Sequence, residues 1–182
     1  MSLFRQKYRV ESTRLQTWDY RAAGWYFVTI CTYGGICFFG DVVDGEVRLS
    51  EIGKIVAEEW QRAEQVRSYV VLDQWVIMPN HMHGIVVIGN GAVPSVVETP
   101  RRGVSTALSR WKPNSLGSII GQFKSVCTKR IWATGFRDFA WQSRFHDHVI
   151  RNEKSLNDIR EYIINNPMKW ELDKDNPANL YM

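Results

Sequence analysis

The order of the predicted strands and helices indicates an α+β protein with a ferredoxin-like βαββαβ core, followed by one additional C-terminal helix. Two observations lead to this prediction. Segments rich in aromatic and β-branched residues alternate with segments whose apolar residues recur at helical spacing, and two strand segments are joined by a tight turn alone. The chain has 182 residues and no internal repeat, so we expect a single domain over residues 1–182. In this topology the first and third strands lie in the middle of an antiparallel sheet.

The core begins with a strand and a helix that are separated by a turn-rich segment. Residues 25–32 (WYFVTICT) have the composition of a strand. Within residues 34–49, Asp44-Gly45 lies between apolar residues and predicts a small hairpin. Ser50 is a suitable N-cap for a first helix that continues to about residue 67. The apolar residues of this helix recur at helical spacing: Ile52, Ile55, Val56 and Trp60.

The second and third strands are predicted at residues 69–78 and 81–88. A Pro-Asn turn joins them, so they should pair antiparallel. Residues 89–113 contain Gly, Pro and Ser throughout and show no periodicity, which predicts a long surface loop. This loop is basic, because it contains one glutamate and four cationic residues: Arg101, Arg102, Arg110 and Lys112.

The remaining elements are a helix, a strand and a final helix. A second helix is predicted from Ser115 to about residue 132. The fourth strand is predicted at residues 141–150. The third helix should start near Asn152 and continue to about residue 166, where Pro167 ends it.

The composition narrows the class of protein. The net charge of +4 and the pI of about 9.0 favour an anionic partner, nucleic acid above all. Three scattered cysteines without a CxxC pair argue against a disulfide framework or a zinc ribbon and fit a reducing compartment. The N-terminus lacks the apolar segment of a signal peptide, and no apolar run approaches the ~20 residues that span a bilayer. We therefore expect a soluble intracellular protein.

Two histidines lie on one face of the predicted third strand. Side chains alternate along a strand, so His81 and His83 point to one face while Met82, Gly84 and Val86 point to the other. Two imidazoles at this spacing can bind one divalent ion through one ring nitrogen each. The alternative is a chance pair of partly buried polar residues. The metal site is favoured because the strand should be central, where unpartnered polar rings are costly.

A tyrosine and an asparagine lie on one side of the third helix. Leu156, Ile159 and Ile163 form its apolar stripe, Tyr162 borders that stripe, and Asn166 lies one turn further along. Taken alone, this pattern is more typical of a packed tyrosine with its hydroxyl in water and of an asparagine that ends a helix.

Three motifs, in this order, resemble those of the HUH-type single-tyrosine transposases, and in particular of their REP-associated tyrosine transposase branch. The similarity extends from about residue 18 to residue 177. It implies a ferredoxin-like core and an enzyme that nicks single-stranded DNA with a tyrosine and transfers the strand. The motifs are Pro79-Asn80-His81-Met82-His83-Gly84, then Trp141-Gln142-Ser143-Arg144-Phe145, then Arg160-Glu161-Tyr162-Ile163 followed by Asn166-Pro167.

The resemblance also implies roles for individual residues. His81 and His83 match the two histidine ligands of a divalent metal, Mg²⁺ or Mn²⁺, and Tyr162 matches the nucleophile that forms a 5′-phosphotyrosine. Asn166 stands where the family has its third metal ligand, although an amide is a poorer ligand than a carboxylate or an imidazole. A second HxH pair on the fourth strand contains His148, which is a rival for the third ligand or a proton carrier. The alternative for that pair, His146 and His148, is partly exposed polar positions on an edge strand.

The expected partner is single-stranded DNA with hairpin-forming repeats, and the expected location is the cytoplasm of a bacterium, at the nucleoid. Relatives in the family include dimers, so a homodimer is an open alternative. Lys124, Lys129 and Arg130 of the second helix and Arg144 near the fourth strand are candidates for phosphate binding, with solvated surface charge as the alternative for each. Trp111 in the basic loop is the candidate for stacking on an unpaired base.

Two other functions compete with this interpretation. A nucleic-acid-binding module without catalysis can share this topology, but it would have exposed aromatic residues on the two central strands, where the third strand has histidines. A metal-dependent hydrolase would use water as the nucleophile and would not need the tyrosine. The sequence does not separate the enzyme of a mobile element from a domesticated host protein.

Overall fold

The computed structural model describes residues 19–89, 115–173 and 176, together with the backbone of a short antiparallel pair, β1 (Leu3–Phe4) and β2 (Lys7–Tyr8). Two 3₁₀ helices cover Tyr33–Gly35 and Pro167–Leu172. Within the described ranges, no helix is long and apolar enough to cross a membrane. The other elements, in chain order, are β3 (Gly24–Cys31), β4 (Gly40–Val43), β5 (Glu46–Leu49), α1 (Glu51–Gln65), β6 (Val70–Ile77), β7 (His81–Ile88), α2 (Leu116–Ala133), β8 (His146–Ile150) and α3 (Glu153–Asn165).

A four-stranded antiparallel sheet with the order β6-β7-β3-β8 forms the centre of the molecule. β3 and β7 are the first and third strands of the core, and they lie in the middle of the sheet and pair along their whole length. The strands β6 and β8 form the two edges. This is the predicted ferredoxin-like α+β arrangement.

The helices α1 and α2 cover one face of this sheet. Met82 and Val86 of β7 point to this face and join the main apolar core with the buried side chains of both helices. Gly84 lies between them, and a Cβ atom at Gly84 would lie only 2.6 Å from the ring of Trp60 in α1. A glycine is therefore required here because the tryptophan packs directly against the strand.

The helix α3 covers the other face through a smaller apolar cluster. The buried members of this cluster are Ile85 of β7, Ile150 of β8 and Ile163 of α3. Because β7 alternates, His81 and His83 point to this second face, as the sequence predicts.

Local signals in the sequence correspond to the observed helix starts and to the hairpin. The Ser50 side chain accepts a backbone N–H of the first turn of α1, and the Asn152 side chain does the same for α3. Asp44 and Gly45 connect β4 and β5 with φ angles of 54° and 76°, as a tight Asp-Gly hairpin turn requires.

The fourth strand is shorter than predicted. Of residues 141–150, the regular ladder begins only at His146. Before it, Nζ of Lys124 donates to the carbonyl oxygens of Gln142 and Arg144 at 2.7 and 2.8 Å. Since these carbonyls bond to an ammonium group, they do not extend the ladder with the neighbouring strand.

The α-helix α3 ends at Asn165, close to the predicted position, but the helical course of the chain does not stop at Pro167. Pro167 is the first residue of the 3₁₀ helix Pro167–Leu172. A proline is tolerated at a first helical position because its fixed φ suits a helix and its missing N–H would have no partner there.

Candidate active site

The candidate site lies on the α3 face of the sheet, where His81 and His83 of β7 meet. Their Nε2 atoms are 3.1 Å apart. Both side chains are buried, with exposed fractions of 1% for His81 and 4% for His83. Because the residues are two apart on a central strand, the backbone holds both rings in this converging arrangement.

Neighbouring side chains fix the orientation of the two rings. Oδ1 of Asn80 lies 2.8 Å from Nδ1 of His81, while Nδ2 of Asn80 donates to the carbonyl oxygen of Gly35 at 3.0 Å. An amide oxygen only accepts, so Nδ1 of His81 carries a proton and Nε2 of the neutral ring presents a lone pair. Nδ1 of His83 lies 2.9 Å from the hydroxyl of Thr29, which can donate or accept and therefore permits either tautomer.

Tyr162 of α3 joins the histidine pair. Its hydroxyl oxygen lies 3.2 Å from Nε2 of His83, and the two rings meet at a centroid distance of 5.2 Å and an angle of 63°. Phe27 of β3 contacts the same tyrosine ring edge-on at 6.1 Å. The side chain of Tyr162 is 44% exposed, so its hydroxyl is next to buried imidazoles and still reachable from solvent.

Asn166 lies one helical turn after Tyr162 and is 3% exposed. Its Oδ1 atom is buried without a hydrogen-bond partner among the described residues. One turn further, the ring of Trp170 contacts the ring of His81 at a centroid distance of 6.1 Å. Asn166 is thus flanked by two residues that touch the histidine pair, and a cation would satisfy its amide oxygen, whose burial is otherwise costly.

The donor atoms at this site fit a small divalent cation. Two nitrogens bound at about 2.1 Å and at right angles would lie about 3.0 Å apart, close to the observed 3.1 Å between the Nε2 atoms. Across the part of the chain that the structure describes, no three His, Cys, Asp or Glu side chains form a group that could hold an ion. The amide oxygen of Asn166 is therefore the candidate for a third protein ligand among the described residues, as the sequence predicts.

Comparison with known proteins shows that the chain shares a family with another protein. No protein-family model matches the chain. An uncharacterized protein of Haemophilus influenzae is 35% identical over 173 residues, which cover 90% of this chain and 91% of that protein. The two proteins belong to one family.

The chain also matches part of a protein whose name states an activity. The REP-associated tyrosine transposase of Escherichia coli is 31% identical over 98 residues, and the match covers 54% of this chain and 44% of the transposase. This chain therefore spans less than half the length of that relative. The chain is similar to that transposase over this region, while its assignment to the HUH-type single-tyrosine transposases and to their REP-associated branch stays a prediction.

A solved structure supports the same fold. A REP-associated tyrosine transposase bound to a REP hairpin matches 88% of this chain and 74% of its own chain, with a TM-score of 0.57 and 20% sequence identity. At this identity the match shows a shared fold, and it confirms the predicted ferredoxin-like α+β architecture.

The second histidine pair, His146 and His148 of β8, lies on the same sheet face as His81 and His83 and two strands away from them. In the register of the sheet, His146 of β8 is beside Thr29 of β3, and Thr29 is beside His83. Two strand spacings amount to about 9.5 Å. His148 is exposed, and within the described ranges it forms no metal-binding group with the buried pair. The distance argues against His148 as the third ligand and favours Asn166.

Two of the predicted DNA contacts, Lys129 and Arg130, lie on α2, which covers the opposite face of the sheet from the histidine pair. The guanidinium of Arg130 binds the carboxylates of Glu58 and Glu59 at 2.6 and 2.7 Å and so joins α2 to α1. Lys129 is exposed. Phosphate binding by these two residues stays a prediction, and for Arg130 it would compete with two existing ion pairs.

The third predicted DNA contact on α2, Lys124, bonds to the segment before β8, to which the fourth candidate, Arg144, belongs. Besides its two bonds to carbonyl oxygens, the Lys124 ammonium lies 5.7 Å from the ring centroid of Trp141. Burial lowers the pKa of Lys124 to about 8. Lys124 therefore holds this segment in place, and phosphate binding by Lys124 and by the exposed Arg144 stays a prediction.

The remaining candidate, Trp111, and residues 90–114 of the predicted basic loop lie outside the described residues. Their proposed part in DNA binding stays a prediction.

The structure adds two side chains that orient the histidines. The sequence indicates Asn80 as a turn residue and as part of the first motif, and its place directly before His81 is a local signal for a bond to that ring. Thr29 gave no local signal, because its contact with His83 depends on the pairing of β3 with β7, 54 residues apart in the chain.

Proposed function

We propose that the protein is a metal-dependent, transposase-like enzyme that cleaves single-stranded DNA and rejoins it through a 5′-phosphotyrosine at Tyr162. One observation carries the proposal: a half-exposed tyrosine hydroxyl lies 3.2 Å from His83, whose Nε2 atom faces that of His81 at 3.1 Å. A nucleophile beside a ready pair of metal ligands is the arrangement that phosphoryl transfer to a hydroxyl needs. The relation to REP-associated tyrosine transposases agrees with it.

His81, His83 and Asn166 would hold the metal, Mg²⁺ or Mn²⁺, through two ring nitrogens and one amide oxygen. When bound, the ion supplies positive charge at the scissile phosphate and so lowers the repulsion that an anionic diester presents to a nucleophile. Asn80 and Thr29 act from behind the histidines. By bonding to the Nδ1 atoms they aim both Nε2 atoms at the same point, which is the usual task of partners behind metal-binding histidines.

Tyr162 supplies the nucleophile in this proposal. Its oxygen attacks phosphorus, the new oxygen–phosphorus bond forms as the bond from phosphorus to the 3′ oxygen breaks, and the departing oxygen takes a proton from water. The phenolic proton leaves to solvent, to which Tyr162 is open. The phosphotyrosine retains the energy of the broken ester, so a 3′-hydroxyl can reverse the step and join strands.

The proposed substrate is a single strand next to a DNA hairpin. The solved structure with the same fold is bound to a REP hairpin, and we propose a hairpin substrate for this chain because of its similarity to REP-associated tyrosine transposases. The charge of the chain agrees with a DNA partner, because residues 1–18 and 90–114 each contain four Lys or Arg residues and one Glu. A homodimer and a location at the bacterial nucleoid stay predictions.

A binding module without catalysis has less support. Such modules use an open sheet face with aromatic side chains on the two central strands. Here α3 covers that face, His81 and His83 occupy it on β7, and Phe27 on β3 stacks against His83 at 5.4 Å. A hydrolase that uses water could employ the same histidines, so the part played by Tyr162 separates the two catalytic functions.

A doubly labelled oligonucleotide tests the proposed function. Hairpins with randomised single-stranded flanks carry one dye at the 5′ end and another at the 3′ end, and they are incubated with the protein and Mn²⁺. After denaturation, the 3′ dye should migrate with the protein, and the 5′ dye should appear on a shorter fragment that a polymerase can extend. Release of both dyes as free fragments would indicate a hydrolase, and intact oligonucleotide would indicate a binding module.

Two matched variants complete the test. Tyr162→Phe removes one oxygen atom, so the fold and DNA binding should persist while both products disappear. Tyr69→Phe removes the same atom from a half-buried tyrosine at the far end of the sheet, where Val70 pairs with Ile88, and it should retain full activity. Cleavage by Tyr162→Phe would refute the tyrosine mechanism.

A further inference from the structure

The helix that carries Tyr162 packs on the sheet through a smaller apolar cluster than the one beneath α1 and α2. Among the described residues, the buried members of this cluster are Ile163 of α3, Ile85 and Ile150, and the other side chains packed there are partly buried: Leu156, Ile159, Trp25, Phe27 and Val76. Apolar contacts are not directional, so a small cluster of this kind keeps α3 on the sheet without fixing its position along it.

A directional contact lies two residues before the tyrosine. Nε of Arg160 donates to Oδ1 of Asp73 at 2.8 Å, and Nη2 donates to Oδ2 at 2.7 Å. This paired arrangement sets both distance and angle. The same guanidinium lies 5.7 Å over the ring of Trp25 and donates to Oδ1 of Asn157 at 3.3 Å.

Asp73 reaches α3 because β6 has a bulge at that point. The pairing of β6 with β7 runs from Leu72 opposite Val86 to Trp75 opposite Gly84, so β6 contains one additional residue there. A bulge changes the direction of side chains on an edge strand. As a result, Asp73 faces the arginine, and its pKa lies below its ordinary value chiefly because Arg160 donates to it.

The effect of this contact on Tyr162 follows from the rigidity of a helix. Arg160 and Tyr162 are two residues apart in α3, so a shift of the backbone at one is carried to the other. Tyr162 is 44% exposed, and its ring contacts Phe27 and His83. A displacement of the helix backbone would therefore move its hydroxyl relative to the histidine pair.

Resting on the proposed function, we propose that Asp73 and Arg160 form a positioning clamp that sets the place of the Tyr162 hydroxyl against the histidine pair. The contacts of Arg160 described above are with Asp73, Asn157 and Trp25, none of which is a proposed metal ligand. The clamp governs the rate of attack and leaves the affinities for metal and DNA unchanged. The ion pair is partly exposed, so we expect its contribution to the stability of the fold to be small beside that of the main apolar core.

Arg160→Lys tests the clamp, because it retains the charge but loses the planar fork. Asp73→Asn removes the charge at the other end, and the double variant Asp73→Arg with Arg160→Asp reverses both. Arg62→Lys is the matched control, since Arg62 pairs with Glu59 at 3.8 Å on the face away from α3. Each protein is examined with the hairpin oligonucleotides and Mn²⁺ for its single-turnover rate of adduct formation, its DNA affinity and its thermal midpoint.

Both single variants should form the adduct at least about tenfold more slowly at saturating DNA, because small displacements of a nucleophile have large effects on rate. The DNA affinity and the thermal midpoint should equal those of Arg62→Lys, and the reversed pair should recover part of the rate. Backbone amides of α3 should exchange hydrogen faster in Arg160→Lys while those of β3 and β7 do not change. An unchanged rate, or parallel loss of rate, affinity and thermal midpoint, would overturn the proposal.

Hydrogen exchange separates the clamp from the proposed function. If the unmodified protein forms no adduct, the proposed function is wrong. Hydrogen exchange of the backbone amides of α3 then still tests whether the ion pair positions the helix. Unchanged exchange in Arg160→Lys overturns the clamp whether or not the protein cleaves DNA.

Discussion

Strand β7 presents one row of side chains to each face of the sheet, and the two rows have different kinds of partner. Met82, Gly84 and Val86 meet α1 and α2, which bury seven residues each. His81 and His83 meet α3, which buries one residue. The apolar row lies in the larger core, whereas the polar row combines hydrogen bonds with aromatic contacts to Phe27 and Trp170.

This difference indicates a division of tasks between the two faces. Because α1 and α2 supply most of the apolar burial, the opposite face can hold two buried imidazoles and a buried amide without endangering the fold. The same division leaves α3 with fewer buried residues than α1 or α2, so the directional ion pair of Arg160 with Asp73 should contribute more to the position of α3. Substitution by alanine should therefore lower mainly the activity at a histidine of β7 and mainly the stability at a neighbouring apolar residue.

His83→Ala should have the largest effect on activity. It removes one of two nitrogen donors and the partner of the Tyr162 hydroxyl, so adduct formation should fall by at least about a hundredfold. The thermal midpoint should change less than in a substitution on the other face, since no large apolar side chain is lost. If His83→Ala retained activity but had a much lower thermal midpoint, the assignment of activity to the α3 face and of stability to the other face would be wrong.

Met82→Ala, one residue away, should have the opposite profile. Met82 is fully buried in the main core, so its truncation should lower the free energy of unfolding by about 2–5 kcal/mol, measured by urea titration. The folded fraction at low temperature should form the adduct at the normal rate. A specific loss of rate in fully folded Met82→Ala would contradict the independence of the faces.

Lys124→Met should have the smallest effect, and it depends on pH. Burial lowers the pKa of Lys124 to about 8 in the folded protein, from 10.5. Between these values the unfolded chain holds a proton that the folded chain has released, so the free energy of unfolding rises with pH across this window. The difference in unfolding free energy between Lys124→Met and the unchanged protein should vary with pH from 8 to 10.5 and be constant below pH 7. A constant difference over the whole range would show that Lys124 is not buried as described.

The sequence was sufficient to predict what depends on local pattern. Alternation along β7 separated His81 and His83 from Met82 and Val86, and Ser50 and Asp44-Gly45 marked a helix start and a hairpin. The order of elements then predicted the central position of β7 in the sheet.

Features that depend on distant partners were not predictable in this way. The bulge in β6 turns Asp73 towards Arg160, which is 87 residues away in the chain. Arg160 belongs to the motif that contains Tyr162, but nothing near Asp73 in the sequence indicates that it pairs with that motif. The late start of β8 depends on Lys124, which takes up two carbonyl groups of the preceding segment. A strand pattern at residues 141–145 could not reveal that competing partner.

The identity of the residue that carries DNA after cleavage tests the central claim most directly. The adduct formed with the hairpin oligonucleotides and Mn²⁺ is digested with nuclease and trypsin, and the peptide that retains a nucleotide is sequenced by mass spectrometry. Cleavage after Arg160 and Lys169 gives a peptide of residues 161–169, in which Tyr162 is the one tyrosine. The account predicts a 5′-phosphate linkage on Tyr162. A nucleotide on another peptide, or cleaved DNA with no modified peptide, would contradict it.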